Sequence, residues 1–272
     1  MSTARATTDT AQALVEEVRS EVRERLKSLL RGCGGIGLPT DVLEPGKMLR
    51  TVFAARIRAA DPARADRNLV KTTCAATELI HTASLCHDDI IDGGTVRRHS
   101  PAWWREVGQP AAILTGDLLL CEAIDVMLTL GEPEHARRFL SKVREMCGTE
   151  FEHESRRSDR AVSPREGLSL ARGKTGPLFA MTGSVCGGED PQLCRRLEQA
   201  GYRIGTLYQL ADDLLDLVGN EEAAGKTLGL DRDRGKQTLA QDPAGGESGV
   251  RREMRRLKDE TADSLADWPA LR

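Results

Sequence analysis

Two short acidic runs carry the first chemical signal in this 272-residue chain: Asp88-Asp89-Ile90-Ile91-Asp92 and Asp212-Asp213-Leu214-Leu215-Asp216. On a helix, residues four apart are neighbours, with Cβ atoms roughly 5–6 Å from one another. Like charges at that spacing repel by a few tenths of a kcal/mol, and flanking apolar residues strip away solvation. A hard cation offsets both effects. Mg²⁺ takes oxygen ligands, keeps several waters, and is usually held by one or two carboxylates together with substrate phosphates. One run by itself reads equally well as an acidic helix end entering the Gly93-Gly94 turn. The second copy, on another apolar helix, favours a pocket in which the two clusters face each other around several Mg²⁺ ions and one highly anionic ligand.

Cations gather in the sequence around these runs. Arg97 and Arg98 follow Asp92 closely, and guanidinium forks bind phosphate bidentately. Lys47 and Arg50 are three apart on one helical face, where positive charge near a helix N-terminus works against the macrodipole and favours an anionic partner. Lys174 lies in a small, apolar stretch (168–181), so an anion or a carboxylate should accompany it. His81 precedes Asp88 by two helical turns and faces the same side about 10 Å away. His87 reads as structural. Lys226, Arg232, Arg234 and Lys236 form a charged loop that is either solvated or able to fold back as a lid. Trp103 and Trp104 read as packing residues of the connection that holds them.

The elements that must position these residues are helical. Apolar positions recur at helical spacing over 9–31, 51–60, 68–92, 111–130, 134–152, 164–186, 190–218 and 250–265. Gly and Pro punctuate the gaps, and Pro164 after Ser163 and Pro191 after Asp190 mark helix starts. No β alternation or solenoid repeat is evident. The reading is all-α, a single-domain bundle of roughly eight to ten helices over 1–272, with 1–8 as a disordered tail. Aromatic residues are 3% of the chain, so the core is Leu, Ala, Val and Ile. The net charge of −3 provides no global basic field for nucleic acid. The seven cysteines contain no Cys-x-x-Cys pair and read as reduced thiols of a cytoplasmic protein. No apolar leader or membrane-length run is present.

These residues together resemble a trans-isoprenyl diphosphate synthase of the polyprenyl synthetase family, over roughly 46–239. The pair of Asp-Asp-x-x-Asp runs is accompanied, in the family's order, by Gly46-Lys47-x-x-Arg50, His81-Thr82-Ala83-Ser84-Leu85-x-His87-Asp88-Asp89, Arg97-Arg98, Gly116-Asp117, Lys174-Thr175, Gln209, Gly225-Lys226 and Gly235-Lys236-x-Thr238-Leu239. The resemblance implies an isoprenoid-synthase bundle with a central apolar cavity, acting as a homodimer. It implies that Asp88, Asp92, Asp212 and Asp216 ligate about three Mg²⁺ ions through oxygen, supported by Asp89 and Asp213. Arg97, Lys174, Thr175, Gln209, Lys226 and Lys236 would hold an allylic diphosphate, and Lys47, Arg50, His81 and Arg98 would hold isopentenyl diphosphate. The implied catalytic set is Asp88, Asp89, Asp92, Arg97, Lys174 and Asp212.

There are departures. Met48 stands where the family usually has a basic residue, and Thr51 where it has Pro. His99-Ser100-Pro101-Ala102 replaces Gly-x-Pro-Thr. The chain stops soon after its last helix, so a final helix of some relatives is expected to be missing. Ala83 and Ser84, one turn before Asp88, are small. A pocket without a bulky plug at that level admits a product of about twenty carbons or longer, with Leu118–Leu120, Ile124 and Met127 as floor residues. Three other readings remain: a prenyltransferase with a different acceptor, a class I terpene cyclase, and a subunit of a heteromeric synthase.

Overall fold

A computed structural model describes residues 2–32, 34, 43–155, 163–219, 221–229, 239, 246–268 and 271. Helices dominate them. In chain order they are α1 (Ser2–Gly32), α2 (Leu49–Ala60), α3 (Arg67–Ile91), α4 (Trp103–Val107), α5 (Gln109–Leu128), α6 (Pro133–Ser155), α7 (Pro164–Ser184), α8 (Pro191–Val218), α9 (Glu221–Ala224) and α10 (Gly246–Ser264), with a 3₁₀ turn at Val185–Gly187. Between α3 and α4 lies a two-stranded hairpin, β1 (Val96–Arg97) and β2 (Ser100–Pro101). The all-α expectation holds. The hairpin and α4 occupy a stretch that the sequence reads only as a polar connection.

The described chain divides into two compact units: Met1–Arg137 with Gly225–Thr227, and Arg138–Ala224 with Leu228–Arg272. One division falls inside α6, between Arg137 and Arg138.

In the first unit α3 is the central element. Asp66 caps it, accepting the Leu69 N–H at 2.7 Å. From Val70 to Ala83 almost every side chain is buried, the mark of a helix enclosed on all sides. It ends at Asp92, where Gly93 turns with φ +73°, a left-handed C-terminal stop. α5 packs along α3, and Trp103 is buried with its indole N–H on Thr115 Oγ1 at 3.1 Å. α1 begins at Ser2, ahead of the expected start at Asp9. Ala4 and Ala6 favour helix, and neither Gly nor Pro interrupts the run before Gly32.

In the second unit α7 and α8 pack closely. A Cβ at Gly205 would lie 2.6 Å from Gly176 Cα, so the two backbones meet where neither has a side chain. Ser163 and Glu166 form the reciprocal capping box of α7, and Asp190 caps α8 through the N–H groups of Gln192 and Leu193. α10 lies on α8 through Val250 and Leu257, which join Leu210 and Leu214 in one apolar cluster. No described helix is long and apolar enough to cross a membrane.

Candidate active site

The first unit gathers a cation group around the end of α3. α2 starts at Leu49, so Lys47 precedes it, and Met48 turns the chain in a left-handed conformation with φ 49°. This corrects the expectation that Lys47 and Arg50 share one helical face. Lys47 is exposed, whereas Arg50 is 8% exposed on the inner side of α2. The hairpin supplies the next two cations. Arg98 and His99 are its two-residue turn, with φ 52° and 61°, a backbone region that costs a non-glycine residue about 1–3 kcal/mol. The Arg98 guanidinium lies over Gly46, where a Cβ would sit 2.8 Å from Arg98 Cζ, and it donates to the Glu44 carbonyl. The Gly46-Lys47-x-x-Arg50 segment and Arg98 are therefore in contact.

His81 lies within the electrostatic reach of Arg50, Arg98 and Arg97. Burial first, and these three cations second, hold its imidazole well below the usual histidine range. It is therefore neutral near pH 7 and carries one N–H and one acceptor nitrogen. Arg97 takes a different partner. Its Nε donates to Asp89 Oδ1 at 3.0 Å, and its Nη2 makes a second bond to the same oxygen. Asp89 is 3% exposed. Burial raises its carboxyl, and the Arg97 hydrogen bond and charge oppose that rise. A cavity of about 20 Å³ lies against this pair, lined by residues including Thr82, Cys86 and Trp103. It has room for one water and not for a diphosphate. Asp89 therefore supports Arg97. Cys86 is buried, and its thiol is pushed up to about 12 by burial and then by Asp89 and Asp88, which removes it as a nucleophile.

Asp88 and Asp92 are half-buried at the end of α3, with the Asp92 N–H on the Asp88 carbonyl at 2.7 Å. His87 packs on Gly116 of α5, its Nε2 3.1 Å from the Ile113 carbonyl, in the structural role expected of it. Lys226 belongs to the first unit and pairs across an antiparallel bridge with Arg97.

In the second unit, Lys174 Nζ lies 3.0 Å from Glu150 Oε2 of α6, the carboxylate that its apolar surroundings demanded. Thr175 of α7 donates its hydroxyl to Gln209 Oε1 at 2.5 Å, and Gln209 Nε2 donates to Asp213 Oδ1 at 2.8 Å. Asp213 is thus held by Gln209 within its own helix. Asp212 and Asp216 are half-buried, and Asp216 Oδ1 accepts the Gly229 N–H at 3.0 Å. Lys236, Arg232 and Arg234 lie outside the described residues. No group of three or more His, Cys, Asp or Glu side chains close enough to hold a metal occurs among the described residues. A pair of half-buried carboxylates on one helix face is nevertheless the donor set that suits Mg²⁺, which draws its other oxygens from water and phosphate.

Sequence reasoning missed Glu78, Glu150 and Thr227. Glu78 is buried on α3, and its Oε1 accepts the Thr51 hydroxyl at 2.8 Å and the Thr51 N–H at 3.3 Å. A buried acid in an apolar run was the available signal for it. Glu150 and Thr227 sit in polar stretches and gave none.

An all-α protein with two acidic helix ends, one beside Arg97 and Arg98 and the other beside Gln209 and Thr175, is the class that fold and site define. The chain belongs to the polyprenyl synthetase family, whose profile matches residues 39–244. A short-chain isoprenyl diphosphate synthase of Methanothermobacter thermautotrophicus is 38% identical over 174 residues, which are 61% of this chain and 53% of that protein. Component 2 of the heptaprenyl diphosphate synthase of Bacillus subtilis is 33% identical over 64% of this chain and 51% of its own length. The match to these two relatives therefore spans about half of their length. The crystal structure of a Caulobacter crescentus polyprenyl synthase complexed with calcium and isoprenyl diphosphate superposes with a TM-score of 0.78 at 25% identity, covering 98% of this chain and 94% of that one.

Proposed function

We propose that the protein is a Mg²⁺-dependent prenyltransferase that condenses isopentenyl diphosphate with an allylic diphosphate, giving a longer linear all-trans polyprenyl diphosphate. The observation that carries this reading is the grouping of Arg50, His81, Arg97 and Arg98 beside the acidic end of α3. Family membership and the fold shared with a synthase complexed with isoprenyl diphosphate support it.

Arg97, Lys174, Thr175, Gln209, Lys226 and Lys236 hold the allylic diphosphate. Asp88, Asp92, Asp212 and Asp216 would hold about three Mg²⁺ ions through oxygen donors, and those ions would supply charge neutralisation of the leaving diphosphate. Lys47, Arg50, neutral His81 and Arg98 hold isopentenyl diphosphate. The allylic C–O bond breaks and its electron pair leaves with the diphosphate, whose growing charge the cations stabilise. The π pair of isopentenyl diphosphate forms the new C–C bond, and the diphosphate accepts the proton then lost. No protein base is required, in keeping with the inert Cys86.

The small Ala83 and Ser84 support a product of about twenty carbons or longer, since an unplugged pocket admits the longer chain. The two relatives, one named for short chains and one for heptaprenyl, leave that length to experiment. A homodimer is supported by Leu114, Cys121 and Leu128, which recur every seven residues along α5 and are exposed, a seam suited to a partner helix. We place the protein in the cytoplasm, a reading supported by six described cysteines that form no disulfide. The second reading, a subunit of a heteromeric synthase, is favoured by the relative named as a component.

The test incubates the protein with Mg²⁺, isopentenyl diphosphate and dimethylallyl, geranyl or farnesyl diphosphate, and identifies products by mass. Longer linear diphosphates are expected. Cyclic hydrocarbon from the allylic substrate alone would indicate a cyclase. Turnover only after a second protein is added would establish the subunit reading.

A further inference from the structure

The hairpin that carries Arg97 and Arg98 is held in a conformation its own residues do not favour. Arg98 and His99 are both left-handed, with φ 52° and 61°, in a two-residue turn of the kind that normally takes Asn-Gly. The hairpin is also very short, with Val96 opposite Pro101 and Arg97 opposite Ser100. Two-stranded ribbons are marginal by themselves, so something outside must fix this one.

That support comes from the tripeptide Gly225–Thr227, which lies in the same compact unit. The His99 N–H donates to the Gly225 carbonyl at 2.9 Å. Arg97 and Lys226 form an antiparallel bridge. Thr227 makes the greatest number of ties. Its Oγ1 accepts the backbone N–H of Thr95 at 3.1 Å and that of Val96 at 3.1 Å, and its own N–H donates to the Val96 carbonyl at 3.3 Å. Gly225 permits this approach because its φ is +66° and a Cβ there would lie 2.6 Å from His99 Nε2.

The bridge has a chemical consequence. Directly opposed residues of an antiparallel pair point to the same face, and like charges there repel. Arg97 and Lys226 are such a pair. Asp89 answers the charge of Arg97 from one side, and a diphosphate would add a bidentate acceptor for both cations. The hydroxyl of Thr227 holds the pair in register against that repulsion.

We infer that Thr227 is a positioning residue. By receiving two consecutive N–H groups at the base of the hairpin, it fixes Arg97 and Lys226 for one diphosphate and Arg98 for the other. The inference rests on the proposed reaction and adds to it a residue that touches neither substrate.

The experiment compares wild type, Thr227→Val and Thr227→Ser. Valine keeps the shape and removes the acceptor, while serine restores it. Steady-state constants for both diphosphates are measured, with inorganic pyrophosphate binding by calorimetry in Mg²⁺ as a readout independent of turnover. Thr227→Val should raise both KM values and the pyrophosphate Kd about tenfold, leave kcat within about twofold, and melt with wild type, because a hairpin loosened at its base holds its cations less well. Thr227→Ser should lie within about twofold of wild type throughout. A valine variant with unchanged KM and Kd would overturn the inference, as would a fall in kcat alone. If wild type performs no condensation yet binds pyrophosphate, and valine weakens that binding tenfold, the proposed reaction fails while the positioning role stands.

Discussion

Replacing Thr51 by Val tests how the start of α2 is tied to α3. Glu78 is 4% exposed, and the donors to its Oε1 are the Thr51 hydroxyl at 2.8 Å and the Thr51 N–H at 3.3 Å. The residue before α2, Met48, is left-handed and provides no side-chain cap. Glu78 therefore caps α2 from another helix, a favourable place for a carboxylate. Valine removes the shorter bond and leaves the longer one. A hydrogen bond to a charged acceptor contributes roughly 1.5–3 kcal/mol, so we take about 2 kcal/mol as the cost, which at roughly 2–4 °C per kcal/mol lowers Tm by about 4–8 °C. Glu78→Gln keeps an acceptor oxygen and removes the charge. A double-mutant cycle by urea unfolding should give a coupling of about 1–2 kcal/mol between the two positions. Because Thr51 follows Arg50 and Glu78 lies one turn before His81, both variants should also raise KM for isopentenyl diphosphate severalfold and leave the allylic KM unchanged. Additivity within about 0.5 kcal/mol, the bound for independent sites, would refute the capping role.

Three further outcomes follow from the same geometry. Asp88→Ala should abolish turnover and Mg²⁺-dependent allylic binding while far-ultraviolet circular dichroism stays that of a helical protein; near-normal activity would return the cluster to an acidic helix end. Ala83→Phe should shorten the product in a mass-resolved assay. Ala83 is buried and Ser84 half-buried, so Ser84→Phe should shorten it with less loss of stability, and unchanged products from both would remove this level from length control. His81 stays neutral in the fold while the unfolded chain takes up a proton near pH 6.5, so stability should be flat above that pH. It should fall below it by up to about 1.4 kcal/mol per pH unit until the lowered folded value is reached. His81→Gln should remove the His81 share of that slope below pH 6.5 in urea unfolding, and an identical slope in the variant would contradict the neutral imidazole.

Much of this protein is legible from local patterns. The i, i+4 spacing of the acidic runs, the apolar period of α3 and α8, and the helix starts at Ser163-Pro164 and Asp190-Pro191 all act within a turn or two of chain, and the structure places each on its helix. The need for a partner at Lys174 was also legible, because a cation among small apolar residues must be answered by an anion. The sequence could not say that Glu150 of α6 answers it, nor that Arg97 is held by Asp89.

What only the tertiary structure decided are pairings between distant residues and backbone conformations without a composition signal. Thr51 meets Glu78, and Thr227 meets Thr95 and Val96, across long separations in the chain. Met48, Arg98 and His99 are left-handed without being glycine. Such conformations cost free energy locally and persist only where surrounding contacts over-determine them, so no window of neighbouring residues announces them. The sequence by itself determined which groups could bind metal and phosphate, because that depends on residue type and helical period. The structure decided which of those groups are buried against a partner, as Asp89 is against Arg97, and which stay half-buried at a helix end, because that depends on packing and on partners outside the local helix.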